Sequence, residues 1–120
     1  MRVSHLALRV ADLERSALFY GGLLGLPELS RSRDEQGGLR AVWLQAGTAV
    51  LMLERELRGR GTSVGSGHVL ALEIEDLAAW RARLTAAGVE IDDTTAFTLY
   101  VRDPDGHRLG LTTWRRESGA

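Results

Sequence analysis

"HVLALEIEDL", residues 68–77, nearly repeats an earlier stretch, "HLALRVADL", residues 5–13. In each copy large apolar residues alternate with other residues, which is typical of a strand with one buried face. An aspartate, Asp12 or Asp76, then stands where it can cap the N-terminus of a helix. The duplication predicts two modules that each begin with a strand and continue into a helix.

A helical pattern and several strand-like stretches follow each copy. Leu77, Trp80 and Leu84 recur at helical spacing, and Gly88 is placed to end that helix. The strand-like stretches are, in chain order, "RAVWLQ", "AVLMLE", "FTLYVR" and "HRLGLT". Each half therefore consists of a strand, a helix and then two or three strands, which predicts an α+β fold with an internal duplication. The glycine-rich segment 58–67 joins the halves.

Composition excludes several functions. The formal net charge of −1 provides no electrostatic footprint for nucleic acid or for an anionic membrane. The apolar runs are too short for a transmembrane helix. The sequence contains no cysteine, and all 15 basic residues are arginine, which excludes a thiolate nucleophile, a zinc–thiolate site and a lysine Schiff base. We therefore expect a cytoplasmic protein that contacts neither nucleic acid nor membrane.

Three segments carry a resemblance to a known family: "DLERSALFYGGLLGL" (12–26), "DLAAWRARLTAAGVEI" (76–91) and "LYVRDPDGHRLGL" (99–111). They resemble the vicinal oxygen chelate superfamily, which includes glyoxalase I, bleomycin-resistance proteins, fosfomycin-resistance enzymes and extradiol dioxygenases. The resemblance covers nearly the whole chain and does not single out one member. It implies an α+β fold in which two βαβββ modules form a cup-shaped sheet around a small-molecule cavity.

The same resemblance sets the expected organisation of the chain. Residues 1–120 should form a single glyoxalase/bleomycin-resistance-like domain. Module one is expected at 1–54, a linker at 55–67 and module two at 68–115. Because a lone cup would leave sheet edges unpaired, and because modules of the superfamily pair across subunits, we also expect a homodimer.

Metal enzymes of the superfamily draw ligands from four equivalent positions, on the first and last strand of each module. The resemblance places His5, Met52 and Gly110 at three of these positions. Where the family often has "DPDGHRLEL", this chain has "DPDGHRLGL", so Gly110 replaces a glutamate. Since neither Met52 nor Gly110 offers an oxygen ligand, no cofactor is expected. The alternative is a divalent nickel, zinc, manganese or iron ion held by His5, His68 and Glu54.

The fourth position depends on how the two halves are aligned. An offset of 64 residues pairs His5 with Val69, whereas an offset of 63 pairs His5 with His68 and requires a β-bulge before Asp76. A slip of one residue turns a strand side chain to the opposite face. The pattern of matches favours the offset of 64, with Val69 facing the cavity and His68 facing away.

Further candidates lie on the expected middle and last strands. Trp43 and Tyr100 either pack in the core or stack on a ligand. Arg108 is in phase with Gly110 and either pairs an anion or stays solvated. Gly110 is expected to leave room for a bulky ligand or for a neighbouring side chain. The expected ligand-binding residues are His5, Trp43, Met52, Val69, Thr98, Tyr100, Arg108 and Gly110.

Two classes of function follow from the resemblance. The absent carboxylates favour a metal-free protein of the bleomycin-resistance type that binds a small apolar or aromatic ligand. The alternative is a metal-dependent lyase, isomerase or dioxygenase that uses His5 and His68. A third possibility is a metal-free enzyme with Tyr100 or Glu54 as its acid or base. The sequence does not decide whether the protein is catalytic.

Overall fold

The computed structural model describes residues 1–57 and 67–115. The chain divides into two compact units, Met1–Val64 and Gly65–Ala120. Most of the expected linker, residues 58–66, lies outside the described residues. In the part of the chain that is described, no helix is both long and apolar enough to cross a membrane.

In its described residues, the first unit has one helix and a four-stranded sheet. Its elements are β1 (His5–Arg9), α1 (Leu13–Ala17), a π-helical continuation of α1 (Leu18–Leu23), β2 (Glu28–Arg33), β3 (Leu39–Ala46) and β4 (Ala49–Glu54). The strand order in this first sheet is β1-β4-β3-β2. β1 and β4 run parallel, and the other two neighbouring pairs are antiparallel.

The second unit repeats this topology. Its elements are β5 (Leu70–Glu73), α2 (Leu77–Ala86), β6 (Asp93–Thr94), β7 (Thr98–Arg102) and β8 (Arg108–Thr112). The strand order in this second sheet is β5-β8-β7-β6, with β5 and β8 parallel. The predicted pair of βαβββ modules is therefore confirmed, and in both modules the helix is followed by three strands.

Local signals explain where the helices begin and end. The carboxylates of Asp12 and Asp76 each accept a hydrogen bond of 3.1 Å from the backbone N–H three residues later, as predicted for N-caps. Gly88, with φ of 77°, follows α2 in the left-handed conformation that glycine adopts easily. The glycines of the sequence predict that the first helix stops at Gly21-Gly22 or at Gly25. It continues past Gly22 as a π-helix to Leu23, and Gly25, with φ of 79°, follows its end, so the second alternative is the one found.

Each sheet buries one face within its own unit. Alternate residues of the strands are almost fully buried, which at about 1.5–3 kcal/mol for each large side chain supplies most of the stability of the fold. In the first sheet these residues are Leu8, Val42, Leu44, Leu51 and Leu53, and in the second they are Leu99, Val101, Leu109 and Leu111. The opposite face of each sheet, hereafter its open face, carries the candidate functional side chains.

Two aspartate turns share one geometry. The carboxylates of Asp34 and Asp103 each accept hydrogen bonds of 2.8–3.0 Å from the backbone N–H groups two and four residues later. Gly37 and Gly106 supply the positive φ of 83° and 86° that these turns require. The sequence predicts the turn at Asp103. The turn at Asp34 connects β2 to β3 and was not predicted.

The turn at Asp34 is expected to make the stability depend on acid. The Gly38 N–H and, next in size, the Arg55 guanidinium hold the pKa of Asp34 below its usual value. Its stabilising effect should thus be complete above about pH 4 and should disappear as the pH falls through the lowered pKa. In urea unfolding at several pH values, Asp34→Asn should be less stable than the wild type at pH 7, and the difference should narrow toward pH 2. Glu35→Gln, a neighbouring exposed charge, serves as the control and should show no such trend.

Candidate functional site

The strand registers relate the candidate residues of the two units. Ala7 pairs with Met52 in the first sheet, and Ala71 pairs with Gly110 in the second. Met52 and Gly110 therefore occupy equivalent positions, and β1 and β5 align at the 64-residue offset. The hydrogen bond from Val10 N–H to the Glu54 carbonyl also has its equivalent 64 residues later, from Ile74 N–H.

That alignment places Val69, and not His68, at the position equivalent to His5. Both residues precede β5, which begins at Leu70, and β5 pairs with β8 without a register shift from Leu70 to Glu73. No bulge is present within the strand to bring His68 into phase with Ala71 and Gly110. The role of Val69 in ligand binding stays a prediction.

The open face of the first sheet brings together several predicted residues. Trp43 pairs with Met52, and Met52 pairs with Ala7 on β1, so the three side chains share one row across the sheet. His5 lies one row away, where it is exposed and its Nδ1 is 3.2 Å from the hydroxyl of Ser4. His5, Trp43 and Met52 therefore lie on one face of one sheet, as the alternation of the strands predicted.

Glu54 is fixed on this face by Trp43. The indole Nε1–H of Trp43 donates a hydrogen bond of 3.3 Å to Glu54 Oε1. Glu54 lies one row from Trp43 on this face, since Glu54 pairs with Ala41 and Trp43 pairs with Met52. This bond orients both side chains.

A pocket of about 420 Å³ lies beside Trp43 and Glu54. The small residues Ser32 and Ala41, which are paired across β2 and β3, leave space between larger neighbours. Its described lining residues all belong to the first unit: Ser32, Arg40, Ala41, Trp43, Glu54, Glu56 and Leu57. Only Trp43 and Glu54 of this set were predicted. Ala41 could have been found, because it alternates in phase with Trp43 along β3.

On the open face of the second sheet, Gly110 lies beneath Tyr100. The two residues are cross-strand partners on β7 and β8. A Cβ atom added at Gly110 would be 3.2 Å from Thr98 Cγ2 and 3.3 Å from Tyr100 Cε1, closer than normal packing allows. Of the two alternatives left open for this glycine, the structure therefore has the neighbouring side chain. The role of Gly110 in ligand binding stays a prediction.

Arg108 completes this cluster. Its Cζ lies 4.3 Å from the centroid of the Tyr100 ring, an arrangement in which the ring face attracts the cation. Its guanidinium also approaches the carboxylates of Asp92 (3.9 Å) and Asp93 (3.8 Å). Arg108 thus already has an aromatic face and two carboxylates beside it, which weakens the expectation that it pairs an anionic ligand.

The donor set does not fit a divalent metal. His5 pairs with Val50 on β4, four residues before Glu54. At about 3.3 Å per residue the backbones of His5 and Glu54 are about 13 Å apart, too far for both side chains to reach one ion at about 2 Å. Met52 offers only a thioether sulfur, and Gly110 offers no side chain. Within residues 1–57 and 67–115, no three His, Asp or Glu side chains are grouped so as to hold a metal.

Comparisons with known proteins agree with this fold. Residues 2–111 match the family model described as the glyoxalase/bleomycin resistance protein/dioxygenase superfamily. A search of curated proteins finds no match. Among solved structures, the fosfomycin resistance protein FosX from Mesorhizobium loti superimposes with a TM-score of 0.76 at 20% identity, covering 95% of this chain and 92% of that one.

Two further structures show the range of functions found on this fold. TnmS3, an antibiotic-binding protein from a Streptomyces species, has a TM-score of 0.69 at 24% identity, and the match covers 93% of this chain and 94% of the TnmS3 chain. The trypanothione-dependent glyoxalase I of Leishmania major has a TM-score of 0.70 at 28% identity, covering 93% and 86%. Similarity of this degree establishes the fold but not the ligand.

Proposed function

Because the chain belongs to the glyoxalase/bleomycin resistance protein/dioxygenase superfamily, we propose that it binds a small apolar or aromatic ligand without a metal. The observation that carries the proposal is the pocket beside Trp43, whose side chain remains 38% exposed on the open face of the first sheet. Its volume of about 420 Å³ is in the range of pockets that enclose small molecules.

The side chains around Trp43 are suited to binding. The hydrogen bond to Glu54 holds the indole in place, so little side-chain entropy is lost when a ligand stacks on it. Met52, the cross-strand partner of Trp43, is a flexible apolar residue that adapts to different ligand shapes. An apolar ring that buries about 100 Å² here would gain roughly 2.5 kcal/mol.

The relatives support both the proposal and its main competitor. The antibiotic-binding protein from Streptomyces has this fold, which supports a role in binding. The glyoxalase I of Leishmania major favours a metal enzyme. We prefer binding, because the separation of His5 from Glu54 and the residues Met52 and Gly110 leave a divalent ion without its ligands.

Metal analysis and a fluorescent-probe titration test this function. The dialysed protein should hold far less than one nickel, zinc, manganese or iron ion per chain, and it should bind the neutral probe N-phenyl-1-naphthylamine with a rise in probe fluorescence. His5→Ala should leave this low metal content unchanged. One tightly held metal ion per chain that is lost in His5→Ala would contradict the proposal and favour the lyase, isomerase or dioxygenase alternative.

The remaining partner and site assignments stay predictions. We propose a homodimer, because β1 and β2 are edge strands of the first sheet and β5 and β6 are edge strands of the second. Residues Val69, Thr98 and Tyr100 remain proposed ligand contacts on the second unit, with Arg108 and Gly110 less suited to that role for the reasons given above.

A further inference from the structure

We infer that the pocket beside Trp43 prefers a ligand that carries a positive charge next to a flat apolar group. This inference rests on the proposed function and names the class of ligand for the same pocket. It follows from the charged side chains that line the pocket and from the exposed ring face of Trp43.

Among the described residues that line the pocket, negative side chains outnumber positive ones. Two carboxylates, Glu54 and Glu56, line it together with one guanidinium, that of Arg40. A further arginine, Arg9, is the register partner of Glu54, but its Nη2 donates to the carbonyl of Leu57 at 2.9 Å and it is not among the lining residues. A cation in the pocket would therefore gain more Coulomb energy than an anion of the same shape.

The ring of Trp43 has no cation stacked on it within the described part of the chain. Two other aromatic rings do: Arg83 lies 5.0 Å from the ring centroid of Trp80, and Arg108 lies 4.3 Å from that of Tyr100. Tryptophan is the aromatic side chain that attracts cations most strongly. Its N–H already binds Glu54, which leaves the ring face as the part of Trp43 that an external cation can contact.

These two features act on the same ligand atoms. A cation stacked on the Trp43 ring lies next to the Glu54 carboxylate, which accepts a hydrogen bond from that ring. The ring face and the carboxylate therefore attract the cation together. A flat apolar group attached to the cation would cover the remaining exposed surface of Trp43. Quaternary ammonium and protonated amine compounds with an aromatic ring have this chemistry.

Three matched probes test the inference: benzyltrimethylammonium chloride, benzyl alcohol and sodium phenylacetate. Binding is followed by the indole N–H signals in ¹H–¹⁵N spectra, to which each of the three tryptophans contributes one signal, and Trp43→Phe assigns the relevant one. We expect the cation to shift the Trp43 signal with a Kd about tenfold lower than that of the alcohol, with the anion weakest. This advantage should shrink as salt is raised.

Charge variants separate the contributions. Glu54→Gln retains a carbonyl acceptor for the Trp43 N–H. Combined with Glu56→Gln, it should weaken binding of the cation about threefold while changing binding of the alcohol little. Arg40→Gln should have the opposite effect and strengthen binding of the cation. Glu90→Gln, at an exposed glutamate of the second unit, makes the same change in net charge as Glu54→Gln alone and should have no effect. Retained dispersion of the backbone signals verifies folding of each variant.

The outcomes distinguish this inference from the proposed function. If the alcohol binds at Trp43 as tightly as the cation, or if phenylacetate binds best, the charge preference is wrong while apolar binding stands. If the cation does not shift the Trp43 signal at millimolar concentration, the inference is overturned, and the N-phenyl-1-naphthylamine titration still decides the proposed function.

Discussion

Gly110→Val is expected to lower the free energy of unfolding by about 1–3 kcal/mol. From the sequence alone, a β-branched residue in the middle of a strand would be expected to preserve or raise stability. The structure reverses that expectation, because even a Cβ atom at Gly110 would be 3.2 Å from Thr98 Cγ2 and 3.3 Å from Tyr100 Cε1. Thr98 cannot turn away freely, since its hydroxyl donates to that of Thr112 at 2.9 Å.

The side chain that must give way is Tyr100. Its ring is half-buried, so it can swing outward, but it then leaves the guanidinium of Arg108. Removing the ring should therefore remove the cost. In a double-mutant cycle followed by urea unfolding, Gly110→Val should destabilise the wild type and be neutral or stabilising in a Tyr100→Ala background.

A matched glycine provides the control. Gly22 also has a negative φ, and a Cβ atom there would meet nothing within 4 Å. Gly22→Ala should thus cost nothing, whereas Gly110→Ala should require Tyr100 to move by a few tenths of an ångström and end near neutral. If Gly110→Val lowers the free energy of unfolding equally with and without the Tyr100 ring, then contact with the tyrosine is not the reason that position 110 requires glycine.

Trp43→Ala is expected to weaken binding of N-phenyl-1-naphthylamine about thirtyfold, which corresponds to about 2 kcal/mol. The indole forms one wall of the pocket and orients Glu54, so its removal takes away the stacking surface and enlarges the pocket. Fluorescence titration of the probe measures the change. Stability should fall less than for a core tryptophan, because this side chain is 38% exposed.

Two variants show whether the effect is specific to the pocket. Trp43→Phe keeps an aromatic face but loses the N–H bond to Glu54, so it should fall between the wild type and Trp43→Ala. Trp80→Ala removes a tryptophan from α2 in the second unit and should leave probe binding unchanged. Binding that survives in Trp43→Ala but is lost in Tyr100→Ala would move the site to the second sheet.

The residues that were predicted correctly are those whose positions depend on short-range patterns. Asp12 and Asp76 cap their helices because a carboxylate three residues before a backbone N–H can reach it within one turn. His5 and Leu8 lie on opposite faces of β1 because side chains alternate along any strand. The equivalence of Met52 and Gly110 likewise follows from two strands of the same pattern placed at the same point of a duplicated module.

Testing the metal alternative required the relative positions of residues that are far apart in the chain. In the sequence, His5 and Glu54 are two possible ligands on one face of the first module. The parallel pairing of β1 with β4 sets them four residues out of register. Strand alternation specifies the face of the sheet on which a side chain lies, but not its position relative to residues of the neighbouring strand. Only the register of strand pairing determines that position.

By itself, the sequence determined the duplicated α+β fold, the helix starts and the face of each strand that carries the candidate residues, because these depend on periodicity and on capping within a few residues. The tertiary structure alone decided what those residues contact. Tyr100 covers Gly110 across two strands, and the indole of Trp43 binds Glu54 eleven residues later in the chain. A pocket forms over Ala41 because Ala41 and its cross-strand partner Ser32 are both small and the side chains around them are larger. Such contacts arise from the register between strands, and the register is set by the packing of the whole unit rather than by any one segment.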